Sequence, residues 1–205
     1  VKILSSEMLD AVADHGVQIH GGFGYHRDYL VERAYRDARI NRIFEGTNEI
    51  NRLIVPGLFA RRAQRAGRRL PSSLALTASA SAAGLTPATD AADIVVRLRL
   101  LAQLLFALVQ ERHGDTMREP QEVVMCLADV LLEAFTAESA HLRAQTMAGT
   151  TAGAVAAAAS EVGAREALAR ATHAASTAFS AVLAPSEART TLGVVRALTA
   201  TDPLD

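Results

Sequence analysis

The sequence predicts an all-α protein, and three observations predict it. Half of the 205 residues are apolar, enough to bury a sizeable core. Alanine, which has the highest intrinsic helix propensity, dominates long stretches of the second half, while β-branched runs are scarce. Apolar positions recur at the helical period between Gly and Pro stop signals, with no strand alternation and no repeat of fixed period.

Taken in order, Ile3, Leu4, Met8, Ala11, Val12 and Ile19 mark an amphipathic helix running to about Ile19, ended by Gly21, Gly22 and Gly24. Tyr29 to Ala38 forms a short charged helix, and Arg39 to Phe44 a connector. Thr47 is the N-cap of the next helix, with Glu49 in the first turn, where the helix dipole favours an acid. Its buried stripe is Ile50, Leu53, Ile54 and Leu58. Pro56-Gly57 predicts a kink or an early end, because proline removes a backbone hydrogen bond and collides with the preceding turn. From Pro71 to Thr89 there is no charge at all, and Pro, Ser, Thr, Ala and Gly prevail, as in a linker. Asp90 then caps a helix to about Arg112, Pro120 opens one reaching Ala148, a third runs from about Ala154 to Leu183, and a fourth follows Pro185. The predicted domains are residues 1–70, a linker over 71–89, and a helical bundle over 90–205.

A formal net charge of −1 argues against nucleic acid as a partner. The single cysteine, Cys126, excludes an internal disulfide and suits a reducing, intracellular setting; its apolar neighbours mark it as an inert, small buried residue. The six histidines never occur at paired ligand spacing with nearby acids, so no metal site is expected. The apolar stretch from Ile94 to Val109 is interrupted by Arg97, Arg99 and Gln103 and is too short to cross a bilayer. A start at Val1-Lys2-Ile3-Leu4 reads as a chain cut inside a helix. Arg61, Arg62, Arg65, Arg68 and Arg69 cluster at a helix end. A solvated or salt-bridged terminus accounts for them; contact with anionic lipid headgroups or an acidic partner is the other reading, and it makes peripheral membrane contact an expectation.

Two segments carry chemistry. Arg42-Ile43-Phe44-Glu45-Gly46-Thr47-Asn48-Glu49-Ile50 sets a carboxylate between an apolar approach and a helix start, and Val17-Gln18-Ile19-His20-Gly21-Gly22-Phe23-Gly24-Tyr25 places three glycines in four positions after a helix. A lone Glu-Gly-Thr is more often a helix start or a turn than a catalytic site, and three glycines alone specify no ligand. With Val31-Glu32-Arg33 and Arg36-Asp37-Ala38 between them, however, the ordered set closely resembles the carboxy-terminal signature of the acyl-CoA dehydrogenases, over about residues 1–66. Arg33, Arg36 and Asp37 read as ion-pairing residues and Arg52 as a solvated helix position.

That resemblance implies the end of the family's helical bundle followed by a second helical-bundle domain. It implies FAD-dependent α,β-desaturation of fatty acyl-CoA thioesters in β-oxidation. Glu45 would be the base, made stronger by an apolar pocket with Ile43 and Phe44. Its backbone N–H would help bind the thioester oxygen, and Gly46 would let the acyl chain pass. Thr47, Asn48 and Glu49 would approach the flavin from the helix start, and Gln18, Gly21 and Gly22 the adenosine half of FAD held mainly by a neighbouring subunit. The implied partners are an acyl-CoA substrate, an electron-transferring flavoprotein and further copies in a homodimer or homotetramer. Over a hundred residues beyond the motif point to a very-long-chain-type or related bacterial enzyme, although residues 90–205 carry no readable motif. The implied setting is the bacterial cytoplasm or inner-membrane surface, or the mitochondrial matrix side in a eukaryote. The family's N-terminal and β-domains lie outside the sequence, so the fragment is expected to be inactive alone. A non-catalytic helical module for assembly or membrane docking is the alternative, against which a base at Glu45 argues.

Overall fold

The computed structural model describes residues 1–202, and among them every regular element is helical. The chain divides into two compact units, Val1–Ile54 and Val55–Asp205.

In the first unit α1 (Lys2–His20) ends at Gly21, whose φ of 59° suits glycine and whose N–H donates to the Gln18 carbonyl. A turn of 3-10 helix over Gly21–Tyr25 follows, and α2 (Leu30–Ile40) folds back on α1. Gly24 is required by this turn: a Cβ there would lie 2.5 Å from the Val17 carbonyl oxygen. Residues 41–47 then lead into α3 (Asn48–Arg65), within which the division between the units falls. The helix runs on through Pro56 and does not end early. Ion pairs in α2 are local, Arg36 to Glu32 and Arg33 to Asp37, each one turn apart.

The second unit contains α4 (Ser73–Ala82), α5 (Ala91–His113), α6 (Gln121–Thr146), α7 (Gly153–Val182) and α8 (Pro185–Thr199). Helix α5 is central: Ile94, Leu98, Leu101, Leu105 and Val109 are all buried, in steps of three or four residues. The expected Asp90 cap is present, its Oδ1 accepting from Asp93 N–H at 2.9 Å. Helix α7 offers the core Ala164, Ala167, Ala171, Ala175 and Ala178, small side chains that let it pack closely on α5 and α6. Phe59 and Ala60, from the end of α3, lie against this core, with the Phe59 and Phe106 rings 5.1 Å apart.

The stretch expected to be a linker holds α4. Ser72 caps it, accepting from Ala75 N–H at 3.3 Å, while Leu76 and Ala80 pack on the core. Apolar burial thus orders a segment whose composition resembles a linker. Beyond it, the buried Arg97 pairs with Asp93 and donates to the carbonyls of Thr86 (2.6 Å) and Ala197 (3.1 Å), pinning the α4–α5 connection and α8 to α5. No described helix is long and apolar enough to cross a membrane. The leucines of α5 that follow the arginine run, Leu101, Leu104, Leu105 and Leu108, lie in the core.

Candidate active site

Glu45 is the sole non-glycine among the described residues with a positive φ, 54°, and Gly46 follows with φ 80°. Two left-handed residues in succession make a sharp reversal between the connector and α3. For glutamate this conformation costs about 1–2 kcal/mol. Surrounding contacts therefore have to hold it.

They do so from both sides. The Gly46 carbonyl accepts from Lys2 Nζ at 2.9 Å and from Asn51 Nδ2 at 2.7 Å, and Asn51 Nδ2 also reaches the Thr47 carbonyl at 3.1 Å. Asn48 N–H closes the loop on the Arg42 carbonyl at 3.1 Å. The Asn48 side chain is fully buried: Oδ1 accepts from Lys2 Nζ at 2.7 Å, and Nδ2 donates to Ser6 Oγ at 2.9 Å and Glu7 Oε1 at 3.1 Å. Arg52 grips both Glu7 oxygens, at 2.7 and 3.0 Å. Arg42 reaches Asp10 at 2.8 Å. Two polar stripes, Lys2-Ser6-Glu7 on α1 and Asn48-Asn51-Arg52 on α3, thus bind the turn to α1.

Several expectations change here. Glu45 is exposed in this chain, with Ile43 and Phe44 half exposed beside it, so the apolar pocket expected to surround the carboxylate is not formed by the described residues. Asn48, expected to contact a cofactor, is buried with both amide hydrogens used inside the chain. Arg52 is an internal partner of Glu7, only 15% exposed, and not a solvated position. Thr47 is the expected cap, its Oγ1 accepting from Ile50 N–H at 3.2 Å. Glu49 is exposed in the first turn; its own backbone N–H, the Thr47 side chain and nearby cationic charge together hold its carboxyl below the usual range.

Gln18, Gly21 and Gly22 lie at the other end of α1. Gln18 is 16 residues from Lys2, which at 1.5 Å per residue is about 24 Å along the axis. The two groups cannot grip the same small chemical group within one chain. Gly22 has no positive φ, and nothing lies within 4 Å of a Cβ built on it or on Gly21. The fold of this chain therefore does not demand glycine at position 22, and the backbone there is open to solvent. Around it Ile19, Phe23, Tyr25 and Leu30 are 66–86% exposed.

Sequence reading missed Lys2, Ser6, Glu7 and Asn51. The signal was present, as polar residues at helical spacing on the two helices that flank the motif. In the second unit Arg61, Arg62, Arg65, Arg68 and Arg69 are exposed, and none forms an ion pair among the described residues. Burial and the charges of Asp129 and Glu122 push the Cys126 thiol up, which keeps it protonated.

Comparison with known proteins joins both parts of the chain to one group. Two models described as "Acyl-CoA dehydrogenase, C-terminal domain" match residues 1–57 and 100–197, so the extension without a readable motif is itself a module of that group. A probable acyl-CoA dehydrogenase of Bacillus subtilis is 39% identical over 152 residues, which is 70% of this chain and 25% of the relative. A caffeyl-CoA reductase–Etf complex subunit of Acetobacterium woodii is 39% identical over 61 residues, 30% of this chain and 16% of that protein. A crystal structure of an acyl-CoA dehydrogenase complexed with FAD from Bacillus anthracis superposes with a TM-score of 0.91 at 34% identity, over all of this chain and 36% of its own. The chain therefore spans about a quarter of the curated B. subtilis relative's length.

Proposed function

The chain belongs to the acyl-CoA dehydrogenase family, and we propose that in its full-length protein it supplies the base for α,β-desaturation of a fatty acyl-CoA thioester in β-oxidation. The observation that carries this is the strained left-handed conformation of Glu45, held by contacts from α1 and α3. Strain retained in this way at a carboxylate is a feature of functional sites.

Glu45 takes the proton from the α-carbon of the acyl group. Burial in the assembled enzyme would raise its proton affinity, since desolvation disfavours the carboxylate. Its backbone N–H would help hold the thioester oxygen as negative charge develops there. Gly46 leaves room for the acyl chain.

FAD, when bound, supplies the acceptor for the β-hydride. The residues present fit such a group: the start of α3, with Thr47 and Glu49, suits the polar part of a flavin, and the open backbone at Gly21 and Gly22 beside Gln18 suits close approach by an adenosine moiety. Their separation of about 24 Å along α1 favours a site shared between subunits of a homodimer or homotetramer. The exposed apolar side chains of the first unit support such an assembly. Because Glu45 is exposed in this chain, catalysis requires the remainder of the protein.

The electron acceptor we propose is an electron-transferring flavoprotein, a reading supported by the Etf complex of the A. woodii relative. The extension over residues 100–197 favours a very-long-chain-type or related bacterial enzyme. A bacterial cytoplasmic setting with peripheral contact at the inner membrane would suit the exposed arginine run at 61–69.

The test is turnover of the full-length protein with a series of saturated acyl-CoAs and an artificial electron acceptor. Activity that depends on chain length, with FAD retained, supports the proposal. Absence of both FAD and activity would favour a helical assembly module.

A further inference from the structure

Lys2 has two acceptors that belong to different parts of the turn. Its Nζ donates to the Gly46 carbonyl at 2.9 Å and to Asn48 Oδ1 at 2.7 Å, so one ammonium joins the backbone that follows Glu45 to the buried amide that anchors α3 on α1. Asn48 is itself fixed by Ser6 and Glu7, and Glu7 by Arg52. Charge-assisted hydrogen bonds of this kind are short and directional, and a partly buried ammonium is restricted by them in a way that an exposed lysine is not.

The Gly46 carbonyl leads directly into the Gly46–Thr47 peptide, and its direction fixes the backbone on which Glu45 sits. Asn51 holds that carbonyl from the α3 side, and Lys2 is the contribution from α1. Without the Lys2 contact, Asn51 alone holds that carbonyl, from the α3 side, and α1 reaches the turn only indirectly, through Asn48 and Arg42. Glu45 would then be free to relax from its left-handed φ.

We infer that Lys2 is a positioning residue for Glu45: through the Gly46 carbonyl and Asn48 it holds the turn in the conformation from which the Glu45 carboxylate meets the acyl α-carbon. This rests on the reading of Glu45 as the base. The role is one of orientation, since Lys2 touches no reacting atom, and displacement of a base by about 1 Å lowers rates by up to about 100-fold.

The test uses the full-length, FAD-loaded protein and compares wild type with Lys2→Met, Lys2→Arg, Glu45→Gln and the Lys2→Met/Glu45→Gln double variant. The expected result is a roughly 10- to 100-fold fall in kcat per bound flavin in Lys2→Met, little change in KM for acyl-CoA or in FAD content, and partial recovery in Lys2→Arg. The double variant should be no slower than Glu45→Gln alone, because a positioning residue has nothing left to position. A crystal structure of Lys2→Met should show Glu45 outside the left-handed region. If Lys2→Met lowers the melting temperature but keeps wild-type kcat per flavin while Glu45→Gln is inactive, the inference is overturned and the base assignment stands. An active Glu45→Gln overturns both. If Lys2→Met does not accumulate folded, Lys2→Gln removes the charge and shortens the reach to the Gly46 carbonyl with a polar side chain, and wild-type kcat per bound flavin in that variant also overturns the inference.

Discussion

Arg52 holds Glu7 through both terminal guanidinium nitrogens, at 2.7 and 3.0 Å, and so ties the first turns of α3 to α1. Burial pushes the Glu7 carboxyl up, but the Arg52 hydrogen bond and charge, the Asn48 amide and the Arg42 charge outweigh it and hold the group below its ordinary value of about 4.5. A lowered folded-state pKa means that the contribution is fully present above about pH 4.5 and is lost as pH falls through the folded value. Glu7→Gln should destabilise the first unit by about 1–2 kcal/mol at pH 7, a modest figure because the pair is partly exposed. The difference between wild type and variant should shrink below about pH 4.5 in urea unfolding curves; a constant difference down to pH 3 would contradict the account.

Gly22 and Gly24 should respond differently to alanine. A Cβ on Gly24 would meet the Val17 carbonyl oxygen at 2.5 Å, so Gly24→Ala should destabilise the first unit by roughly 1–3 kcal/mol. A Cβ on Gly22 meets nothing within 4 Å. Gly22→Ala in the full-length protein should leave apoprotein stability within about 0.5 kcal/mol and weaken FAD retention, as read by calorimetry and flavin absorbance. Unchanged FAD affinity would remove Gly22 from the cofactor site.

Arg97 is buried and serves two connections at once, through the carbonyls of Thr86 and Ala197. Arg97→Ala would leave Asp93 and both carbonyls without this partner and should destabilise the second unit by about 3 kcal/mol. Hydrogen exchange should show faster opening of residues 83–90 and of the end of α8; protection unchanged from wild type would show that other contacts hold these segments.

Ala171 and Ala175 are fully buried on α7, the helix that packs on α5 and α6. Ala171→Leu should lower stability by about 1–3 kcal/mol through overpacking, measured by thermal unfolding. A neutral effect would mean that α7 is less closely packed than described.

The long helices were legible because apolar period, caps and Gly or Pro stops agree with one another; α5, α6 and α7 start and end within about two residues of the expected positions. Helix α4 was not legible, since an uncharged Ser, Thr and Ala segment gains its order from Leu76 and Ala80 meeting the core, a tertiary effect absent from local composition. Continuation of α3 through Pro56 is a second such case. At the candidate site, the Thr47 cap follows from residue type and spacing, whereas the left-handed φ of Glu45 does not, since glutamate disfavours that conformation. The burial of Asn48 and the engagement of Lys2 and Arg52 do not, because they depend on α1 and α3 meeting some 40 residues apart in sequence. Charge and polarity alone place such residues in solvent.

The proposed removal of the acyl α-proton by Glu45 is tested most directly by a single turnover. Full-length protein, wild type and Glu45→Gln, would be mixed with saturated acyl-CoA without oxygen while flavin absorbance is followed. Wild type should bleach rapidly, and Glu45→Gln with normal FAD content should bleach about 100-fold or more slowly. Bleaching at the wild-type rate in Glu45→Gln would contradict the proposal and place the base elsewhere in the protein.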